Sequence, residues 1–561
     1  MGEFAYYNSQ NEQKNEFLFQ NAQHIWIPDQ NGGAYPNGQI LFDCASLSNS
    51  SKFISFAESY IVVPLVVTTI NTGSTGFSAE NAFMTSLKNG YHQLINSMSV
   101  EITNAQVVST TNYTNLDINY KLLTTCSRED ELNFLPSINF HKDTAESINY
   151  LGAADTIAVG EYNNVIKPSL WTSDTGWGKT GWNSNAGRLQ RMMNTSFDPA
   201  NTLNGSGGSK LVTENATKAV GKNYYTNNSV NTDNVHYITA TLPLKIIHDL
   251  FRKMPLVKGA YMRLILNLNT QCQSVITIAA SKFSTYATTS PNQTFPLMIS
   301  PMATTNGFVV NGTTSITTGI GIAKSYNTTT SFSHPISTCR LYAKMIEMTP
   351  TAEENYLSAV ATKTILYNDI LSYQSLNNAS GSNVSQILTN GVSRPRYLLI
   401  IPQMAAAING SNKDTLGTTY SAGVGVLGTP MNSPFSSSPG TTAPHASITN
   451  LNVLVSGQTI YQSNYTYGFE QFLQEVRGSN AINGGISLGL SSGLLSQNDW
   501  ENGYRFCYVD LSRRISQPND DISRSLQVIF TNSAAYATDY YFIIGYEKSI
   551  TISTSTGSLI I

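Results

Sequence analysis

The sequence predicts an all-β protein that contains two tandem copies of one domain. The main observation is a repeated pattern, because residues 95–123 match residues 448–476 without a gap at a constant offset of 353. In each copy apolar and polar residues alternate, and a short turn and a second strand predict a hairpin with one buried face. Each copy then takes the period of a short helix. The apolar stripe of that helix is Leu116, Tyr120 and Leu123 in the first copy, and Phe469, Leu473 and Val476 in the second.

Three further pairs of segments repeat in the same order along the chain. They are Ile40–Asp43 with Ile365–Asn368, Tyr60–Pro64 with Leu399–Pro402, and Leu264, Leu266 and Leu268 with Leu526, Val528 and Phe530. A slip of one residue would turn the apolar set of any of these strands to water, so the register is well specified. Four matches in one order indicate a tandem duplication.

Length and local composition divide the chain into an arm and two domains. Residues 1–36 are rich in Gln and Asn and have no period, which predicts an amino-terminal arm. The first copy is expected over residues 37–345 and the second over 346–561, with Thr349–Leu357 as the connector. A chain of 561 residues is too long for one core, and each copy suits a large β-sandwich or barrel.

Two more helices are expected in the first copy. One covers residues 83–94 after Ser78 as a cap, and the other follows Leu244 and ends at Pro255. Their apolar faces would be formed by Phe83, Leu87, Tyr91 and Leu94, and by Ile246, Ile247, Leu250 and Phe251.

The two copies differ most in one interval. From Leu123 to Leu244 is 121 residues, whereas from Val476 to Leu511 is 35. The first copy therefore carries an insertion at about 126–236, rich in Asn, Gly and Ser. It includes Trp171, Trp177 and Trp182. An insertion of this length cannot be threaded into a sandwich without stranding backbone polar groups, so we expect it to project from one end.

The charge content limits the possible functions. Only 12% of residues are charged, about half the usual share. Polarity without charge suits a surface that neighbouring subunits cover, and it also suits a secreted adhesin. The net charge of −3 argues against nucleic-acid binding as the main task. The nearest approach to a basic cluster, Arg513 and Arg514 with Arg524, is interpreted as a solvated or interface group.

Cysteine usage and the apolar segments predict folding inside the cell. The five cysteines are scattered, odd in number and never in a Cys-x-x-Cys spacing, which is typical of reduced thiols. Met1–Phe4 does not begin a secretory signal. The apolar run Ile61–Val67 is far shorter than a membrane span, so no span is predicted.

Three strings resemble catalytic motifs, and each lacks the context that its chemistry needs. Ser173–Thr180 ends like a phosphate-binding loop, but a serine replaces its first glycine. Gly423–Gly428 has dinucleotide-loop spacing without a helix after it. Gly489–Gly493 resembles a nucleophile elbow around Ser491, but the last histidine, His445, lies upstream of the serine that it would have to follow.

No other pattern indicates chemistry. The seven histidines form no His-x-x-x-His pair and have no acidic residue at metal-ligand spacing. No pair of carboxylates stands out as a general acid and base. We therefore assign no catalytic, cofactor-binding or metal-binding residue and expect a protein that is not an enzyme.

Several segments resemble a known family. Cys339–Tyr342, Met348–Pro350, Glu353–Ser358 and Ile365–Asp369 are similar to the junction between the halves of double jelly-roll major capsid proteins, and most similar to those of virophages and polinton-like viruses. Tyr504–Arg513 resembles the segment that enters the late strands of the second roll. The resemblance covers most of the chain from about Asn37. The arm and the tryptophan-bearing insertion match nothing in that family.

The resemblance implies two tandem eight-stranded jelly rolls, with short helices and the large insertion in the first roll. It implies homotrimers that form pseudo-hexagonal capsomers of an icosahedral shell of a double-stranded DNA virus. Penton and minor capsid proteins would be further partners, and the virion, assembled inside the host cell, the location. A trimer of chains with two similar rolls each has six similar walls, so it can occupy a lattice site that has six neighbours. The insertion would then form an outward tower near the three-fold axis.

Two other classes remain open at this stage. An extracellular adhesin or carbohydrate-binding β protein is favoured by the richness in Asn, Thr and Tyr and by the three tryptophans. It is disfavoured by the lack of a secretory signal and by the unpaired cysteines. A β-rich glycoside hydrolase would need two placed carboxylates, and the sequence nominates none.

Overall fold

The computed structural model describes most of both predicted copies. The described residues are 18–48, 50–71, 83–143, 191, 224–228, 233–279, 282–289, 294–301, 313–326, 332–405, 431, 434, 447–461, 465–478, 492–512, 522–534 and 537–560. Statements about structure below refer to these residues.

The first half of the chain forms fourteen of the described strands. They are β1 (Phe19–Pro28), β2 (Gln39–Asp43), β3 (Phe53–Asn71), β4 (Phe83–Leu87), β5 (Ile95–Ile102), β6 (Ala105–Val108), β7 (Tyr224–Asn228), β8 (Asp233–Pro243), β9 (Met262–Leu268), β10 (Cys272–Ala279), β11 (Lys282–Thr289), β12 (Leu297–Pro301), β13 (Thr313–Ile322) and β14 (Arg340–Met348). Eight of these make two sheets, ordered β1-β14-β3-β8 and β2-β9-β5-β6. Counted within this set, the orders are 1-8-3-6 and 2-7-4-5, which is a jelly roll.

The second half contains the other nine described strands. They are β15 (Thr362–Asn378), β16 (Asn383–Val392), β17 (Pro395–Met404), β18 (Ile448–Val455), β19 (Gln458–Thr459), β20 (Cys507–Asp510), β21 (Arg524–Asn532), β22 (Thr538–Ser553) and β23 (Leu559–Ile560). The sheets are ordered β15-β22-β17-β20 and β16-β21-β18-β19, and β23 pairs with β22. Strands β15 to β22 therefore repeat the same jelly-roll order, and the predicted double jelly roll is confirmed.

The helices in the described residues are short. They are α1 (Ala45–Ser48), α2 (Thr114–Thr125), α3 (Arg128–Asn133), α4 (Leu244–Ile247), α5 (Asp249–Lys253), α6 (Pro350–Ala359), α7 (Phe469–Gly478) and α8 (Gln497–Asp499). Three 3₁₀ turns at Pro36–Gly38, Tyr91–Leu94 and Leu135–Ile138 and a π turn at Trp500–Tyr504 complete the set. The connector is α6, which Thr349 caps through a hydrogen bond from the Ala352 N–H to its hydroxyl.

Three of the four predicted sequence matches join equivalent strands. The offset of 353 relates β5 to β18, β6 to β19, and the start of the stripe on α2 to the start of α7. Strands β9 and β21 occupy the same place in their sheets, and so do β3 and β17. The match of Ile40–Asp43 with Ile365–Asn368 is wrong. Its first segment lies in β2, which is equivalent to β16, whereas its second lies in β15, which is equivalent to β1.

The predicted arm needs a correction because part of it belongs to the first roll. Residues 19–28 form β1, which pairs with β14 along its length. The strand lies at the edge of its sheet and most of its side chains are exposed on both faces. Such a strand has no alternation of apolar and polar residues, so it carries no periodic signal.

Both helix predictions in the first copy are corrected. Residues 83–94 are not one helix, because β4 pairs with the distant β12 and a 3₁₀ turn follows at Tyr91–Leu94. The second helix is broken into α4 and α5 by His248, whose backbone is extended with φ −152° and ψ 144°. The predicted buried residues Ile247, Leu250 and Phe251 do face the core.

The insertions in the first roll are only partly covered by the described residues. Most of the predicted segment at about 126–236, with its three tryptophans, lies outside them. A second addition, which the sequence analysis did not predict, lies between β9 and β14. Its strands β13, β10 and β11 extend the first sheet from the carboxyl half of β3.

Candidate functional site: the junction between the two rolls

The two rolls meet along a buried junction, and their apolar residues form one continuous core cluster. From the first roll, α2, α5 and the segment after β6 contribute to this junction. From the second roll, β15, β17 and β22 contribute. Because both sides of the junction belong to one chain, its contacts fix how one roll meets the other.

The centre of the junction is the carboxylate of Asp369 on β15, which is fully buried. Its Oδ2 accepts from Lys548 Nζ at 2.7 Å and from the Tyr546 hydroxyl at 3.2 Å. The N–H of Ser109, which follows β6 in the first roll, also donates to Oδ2 at 3.5 Å. Its Oδ1 lies 3.6 Å from His248 Nε2 between α4 and α5. Groups from both rolls therefore share one carboxylate.

The surroundings of Asp369 stabilise its charged form. Burial alone would raise the pKa of this carboxyl group. The nearby imidazole of His248, together with the charge and hydrogen bond of Lys548, outweighs burial and lowers the pKa of Asp369 to about 2. The ionised carboxylate is therefore the form that the junction requires at neutral pH.

Helix α5 covers the outer edge of β15. Its Asp249 Oδ2 accepts from the N–H of Asn368 at 3.2 Å, and its Lys253 Nζ donates to the carbonyl of Leu366 at 2.7 Å. Further along, the Thr111 hydroxyl donates to the carbonyl of Ile370 at 2.9 Å. Backbone groups that an edge strand would leave open are thus bonded to side chains of the first roll.

A second polar contact joins α2 to β17. The buried hydroxyl of Tyr397 donates to Asp117 Oδ1 at 2.6 Å, and Lys121 Nζ lies 2.6 Å from Asp117 Oδ2. Burial and then the nearby charge of Asp117 raise the pKa of Tyr397 well above its ordinary value. Gly545 of β22 lies directly against the ring of Tyr397, and any Cβ there would overlap the ring.

A third contact region lies at Lys142 and Asp143, in the described part of the first roll's insertion. The Tyr504 hydroxyl accepts from the N–H of Asp143 at 3.0 Å and donates to the carbonyl of the same residue at 3.2 Å. Lys142 Nζ donates to the carbonyl of Leu494 at 2.7 Å and lies 3.0 Å from Asp499 Oδ2. These bonds join residues more than 350 positions apart in the sequence.

Lys88 places a buried amino group at the same boundary. Its Nζ donates to the carbonyl of Met431 at 2.6 Å, and the side chain is fully buried. Burial lowers the pKa of Lys88 well below its ordinary value. The Phe295 N–H also donates to the Met431 carbonyl, at 2.9 Å.

The catalytic-looking strings fall almost entirely outside the described residues. This holds for Ser173–Thr180, for Gly423–Gly428 and for Gly489–Ser491. At the end of the third string, Gly493 has φ +68° and is closely packed against Leu123 and Thr124 of α2. Its end is therefore part of the contact between the rolls.

The described residues contain no group of three or more His, Cys, Asp or Glu side chains placed to hold a metal ion. Within the same residues, no helix is long and apolar enough to cross a membrane. The five cysteines, all of which are described, form no disulfide.

The residues that build this junction were not predicted from the sequence. Asp369 lies in a segment that resembles the capsid family, but no role was assigned to this residue. His248, Lys548 and Tyr397 carried no signal, because each looks like an ordinary polar residue beside apolar ones. The one available signal was the set of charges within otherwise apolar strands in a chain that has few charges.

Two jelly rolls joined in this way define the double jelly-roll fold of viral major capsid proteins. The structure is similar to a chain of the Sputnik virophage structure, with 13% identity, a TM-score of 0.50 and coverage of 97% of this chain and 89% of that one. It is also similar to the mavirus major capsid protein (10% identity, TM-score 0.44, coverage 98% and 92%) and to the Faustovirus major capsid protein (10% identity, TM-score 0.42, coverage 95% and 91%). The strand orders of the two rolls and the similarity to the Sputnik chain together confirm the expected fold.

No protein-family model matches the chain, and no curated protein matches it in sequence.

Proposed function

We propose that this chain is the major capsid protein of a double-stranded DNA virus of the virophage or polinton-like kind. It would form homotrimers with a pseudo-hexagonal outline, and these capsomers would tile an icosahedral shell. The observation that carries this proposal is the presence of two complete jelly rolls in one chain, joined by a buried ionic junction. A fixed junction suits a shell subunit, because the angle between its two walls must be the same in every copy.

The duplication supplies the physical reason for a trimer. Three chains with two similar rolls each present six similar walls, so a three-fold assembly fits a site with six neighbours. The low charge of the chain supports the same assignment, since each charge buried between subunits has to be paired.

The remaining parts of the proposal concern partners and the division of the chain. We propose capsomer–capsomer contacts, penton and minor capsid proteins as partners, the virion as location and the host cell as the site of assembly. The rolls would divide at the connecting helix α6, a few residues after the boundary expected at 345. The insertion at about 126–236 would form an outward tower that strengthens the trimer. No residue would be catalytic.

Native mass spectrometry of the purified protein tests this function. We expect a trimer at micromolar concentration and a near-hexagonal outline in electron micrographs, and a protein that remains monomeric would contradict the proposal.

Replacing residues 165–190 by a Gly/Ser linker should weaken the trimer while both rolls still fold. Lys179→Ala and Ser491→Ala should leave the trimer mass unchanged and should cause no loss of nucleotide or ester hydrolysis. If the linker variant remains fully trimeric, a glycan- or receptor-binding role for the insertion becomes the better interpretation.

A further inference from the structure

We propose that the first roll contains a binding site for a guanidinium group, and that Arg191 of the insertion fills this site. The site is formed by the main-chain carbonyls of Leu87, Lys88 and His141 and by the carboxylate of Asp143. We call it the guanidinium site. Arg191 thereby fixes its own part of the insertion beside the contact between the two rolls.

Every nitrogen of the Arg191 guanidinium group donates to an acceptor of the site. Nε donates to the carbonyl of Leu87 at 3.2 Å, and Nη2 donates to the carbonyl of Lys88 at 3.0 Å. Nη2 also donates to Asp143 Oδ1, and Nη1 donates to the carbonyl of His141. The side chain is fully buried, which arginine almost never is unless it is paired. The acceptors match the planar fork of a guanidinium group, and a lysine ammonium has no such geometry.

The acceptors of the guanidinium site are held in place by contacts that do not involve Arg191. Strand β4 pairs with β12, and just after β4 the N–H of Lys88 donates to the carbonyl of Pro296 at 2.8 Å. The N–H of Asp143 donates to the Tyr504 hydroxyl at 3.0 Å. The site therefore keeps its acceptors when the Arg191 side chain is removed, as a preformed binding site does.

The charges around the guanidinium site favour a single cation. The carboxylate of Asp143 pairs with Arg191, and a buried charge needs such a partner. Burial, and with it the charge of Arg191, lowers the pKa of His92 to about 3 and also lowers the pKa of His141. Neither imidazole therefore adds a second positive charge to the site at neutral pH.

Asp143 connects the guanidinium site to the second roll. Its carboxylate binds Arg191, while its main-chain N–H and C=O groups are both bonded to the Tyr504 hydroxyl. The next residue along the chain toward the amino terminus, Lys142, bonds the carbonyl of Leu494. Filling of the guanidinium site and the contact with Tyr504 should therefore stabilise each other.

Chemical rescue in the full-length protein tests the site. Arg191→Ala should lower the melting temperature, because it removes a buried ion pair and leaves its acceptors without a donor. An ion as small as guanidinium is limited to roughly millimolar affinity, so it is supplied at about 20 mM, far below denaturing concentrations. At that excess we expect guanidinium chloride to restore about half of the lost degrees. Urea is the matched control, because it is planar and of similar size but uncharged. Urea and an equal concentration of sodium chloride should restore nothing.

Arg191→Lys is the second variant, and it decides the question if Arg191→Ala does not fold. Lysine keeps the charge but cannot reach all of the acceptors from a single nitrogen. We expect Arg191→Lys to melt below the wild type. Equal melting temperatures of Arg191→Lys and wild type would mean that the site selects only a positive charge, and the inference would be wrong.

A double-mutant cycle tests the link to the second roll. Tyr504→Phe removes the hydroxyl that holds Asp143. Combined with Arg191→Ala, it should lower the melting temperature by less than the two single losses added together, because both substitutions release the same residue. The control is Arg128→Ala, which removes an arginine of the same insertion whose side chain is 74% exposed and paired with Glu131. This loss should add to that of Tyr504→Phe and should not respond to guanidinium.

The outcomes separate this inference from the proposed function. If guanidinium raises the melting temperature of Arg191→Ala no more than urea does, or raises Arg128→Ala equally, no guanidinium site exists and the inference is wrong. The capsid function stands in that case, because the trimer mass measures it independently. If the wild type forms no trimer but guanidinium rescues Arg191→Ala alone, the proposed function fails and the guanidinium site stands.

Discussion

Replacing Asp369 by Asn tests whether a buried carboxylate holds the two rolls together. Both oxygens of Asp369 act as acceptors, from Lys548 and Tyr546 on one side and from the Ile370 N–H at 2.9 Å on the other. The amide of Asn has one acceptor oxygen and one donor nitrogen. Its NH₂ group must therefore point at a donor in either orientation, and the charge of Lys548 loses its partner.

The magnitude follows from the pKa of Asp369. Folding lowers this pKa from the ordinary value of 3.8 to about 2. At 1.36 kcal/mol for each unit, the ionised group contributes about 2 kcal/mol to stability at neutral pH. The misplaced NH₂ group adds the cost of an unsatisfied buried donor, about 1–3 kcal/mol. The two contributions add, so we expect Asp369→Asn to lower the free energy of unfolding by about 3–5 kcal/mol.

Urea unfolding followed by circular dichroism measures this loss. The folded pKa is below the unfolded one, so the contribution of Asp369 is complete above pH of about 4 and is lost as the pH falls toward about 2. The gap between wild type and variant should shrink over the same range. The control is Glu101→Gln, which removes a 3.7 Å ion pair with Arg263 between side chains that are 32% and 41% exposed. Such a surface pair contributes less than about 1 kcal/mol.

Two results would refute the reasoning about Asp369. One is a loss of stability at neutral pH no larger than that of Glu101→Gln. The other is a gap between wild type and Asp369→Asn that stays constant from neutral pH down to about 2. The second result would mean that the effect of the substitution comes from packing and not from the charge.

Two further substitutions test the packing of Gly545 against Tyr397 and the buried side chain of Lys88 at the same boundary. Gly545→Ala should lower stability by about 1–3 kcal/mol, because its Cβ would overlap the Tyr397 ring, and a thermal melt compares it with Gly391→Ala, where nothing lies within 4 Å. Equal melting temperatures for the two variants would contradict this expectation and mean that the Tyr397 ring moves aside freely. Lys88→Met should preserve or raise stability at neutral pH, since it removes a buried amino group that no carboxylate pairs in the described residues, while the Met431 carbonyl keeps the Phe295 N–H. Burial lowers the pKa of Lys88, so the free energy of unfolding of the wild type should increase relative to that of Lys88→Met as the pH rises above neutrality. Parallel pH profiles of the two proteins would contradict the lowered pKa.

The repeat at an offset of 353 could be predicted because its strands have one buried and one exposed face. Strand β5 and its equivalent β18 begin and end at matching residues, as the alternation of their side chains indicated. Each strand is followed by a hairpin turn at the matching position, and the helices α2 and α7 end at matching residues. Local pattern and tertiary packing agree here, so the sequence was sufficient.

The error at the start of the first roll has a definite physical cause. Strand β1 is exposed on both faces, so no alternation distinguishes it from an unstructured arm. Without β1, the first copy was counted from its second strand. Ile40–Asp43 in β2 was therefore matched with β15, which is the first strand of the second roll. An edge strand that is exposed on both faces is thus the part of the fold that has the weakest sequence signal.

The distribution of charge in the chain distinguishes the junction between the rolls from the edge strand β1. The junction within the chain contains Asp117, Lys121, Asp249, Lys253, Asp369 and Lys548, although charged residues are only 12% of the sequence. The ion pairs and hydrogen bonds of these residues form when a single chain folds, and because they are directional they fix one arrangement of the two rolls. Strand β1, in contrast, contains no Lys, Arg, Asp or Glu. The few charges of this chain thus include those that fix the angle between its two rolls, because a buried ion pair has one favourable geometry.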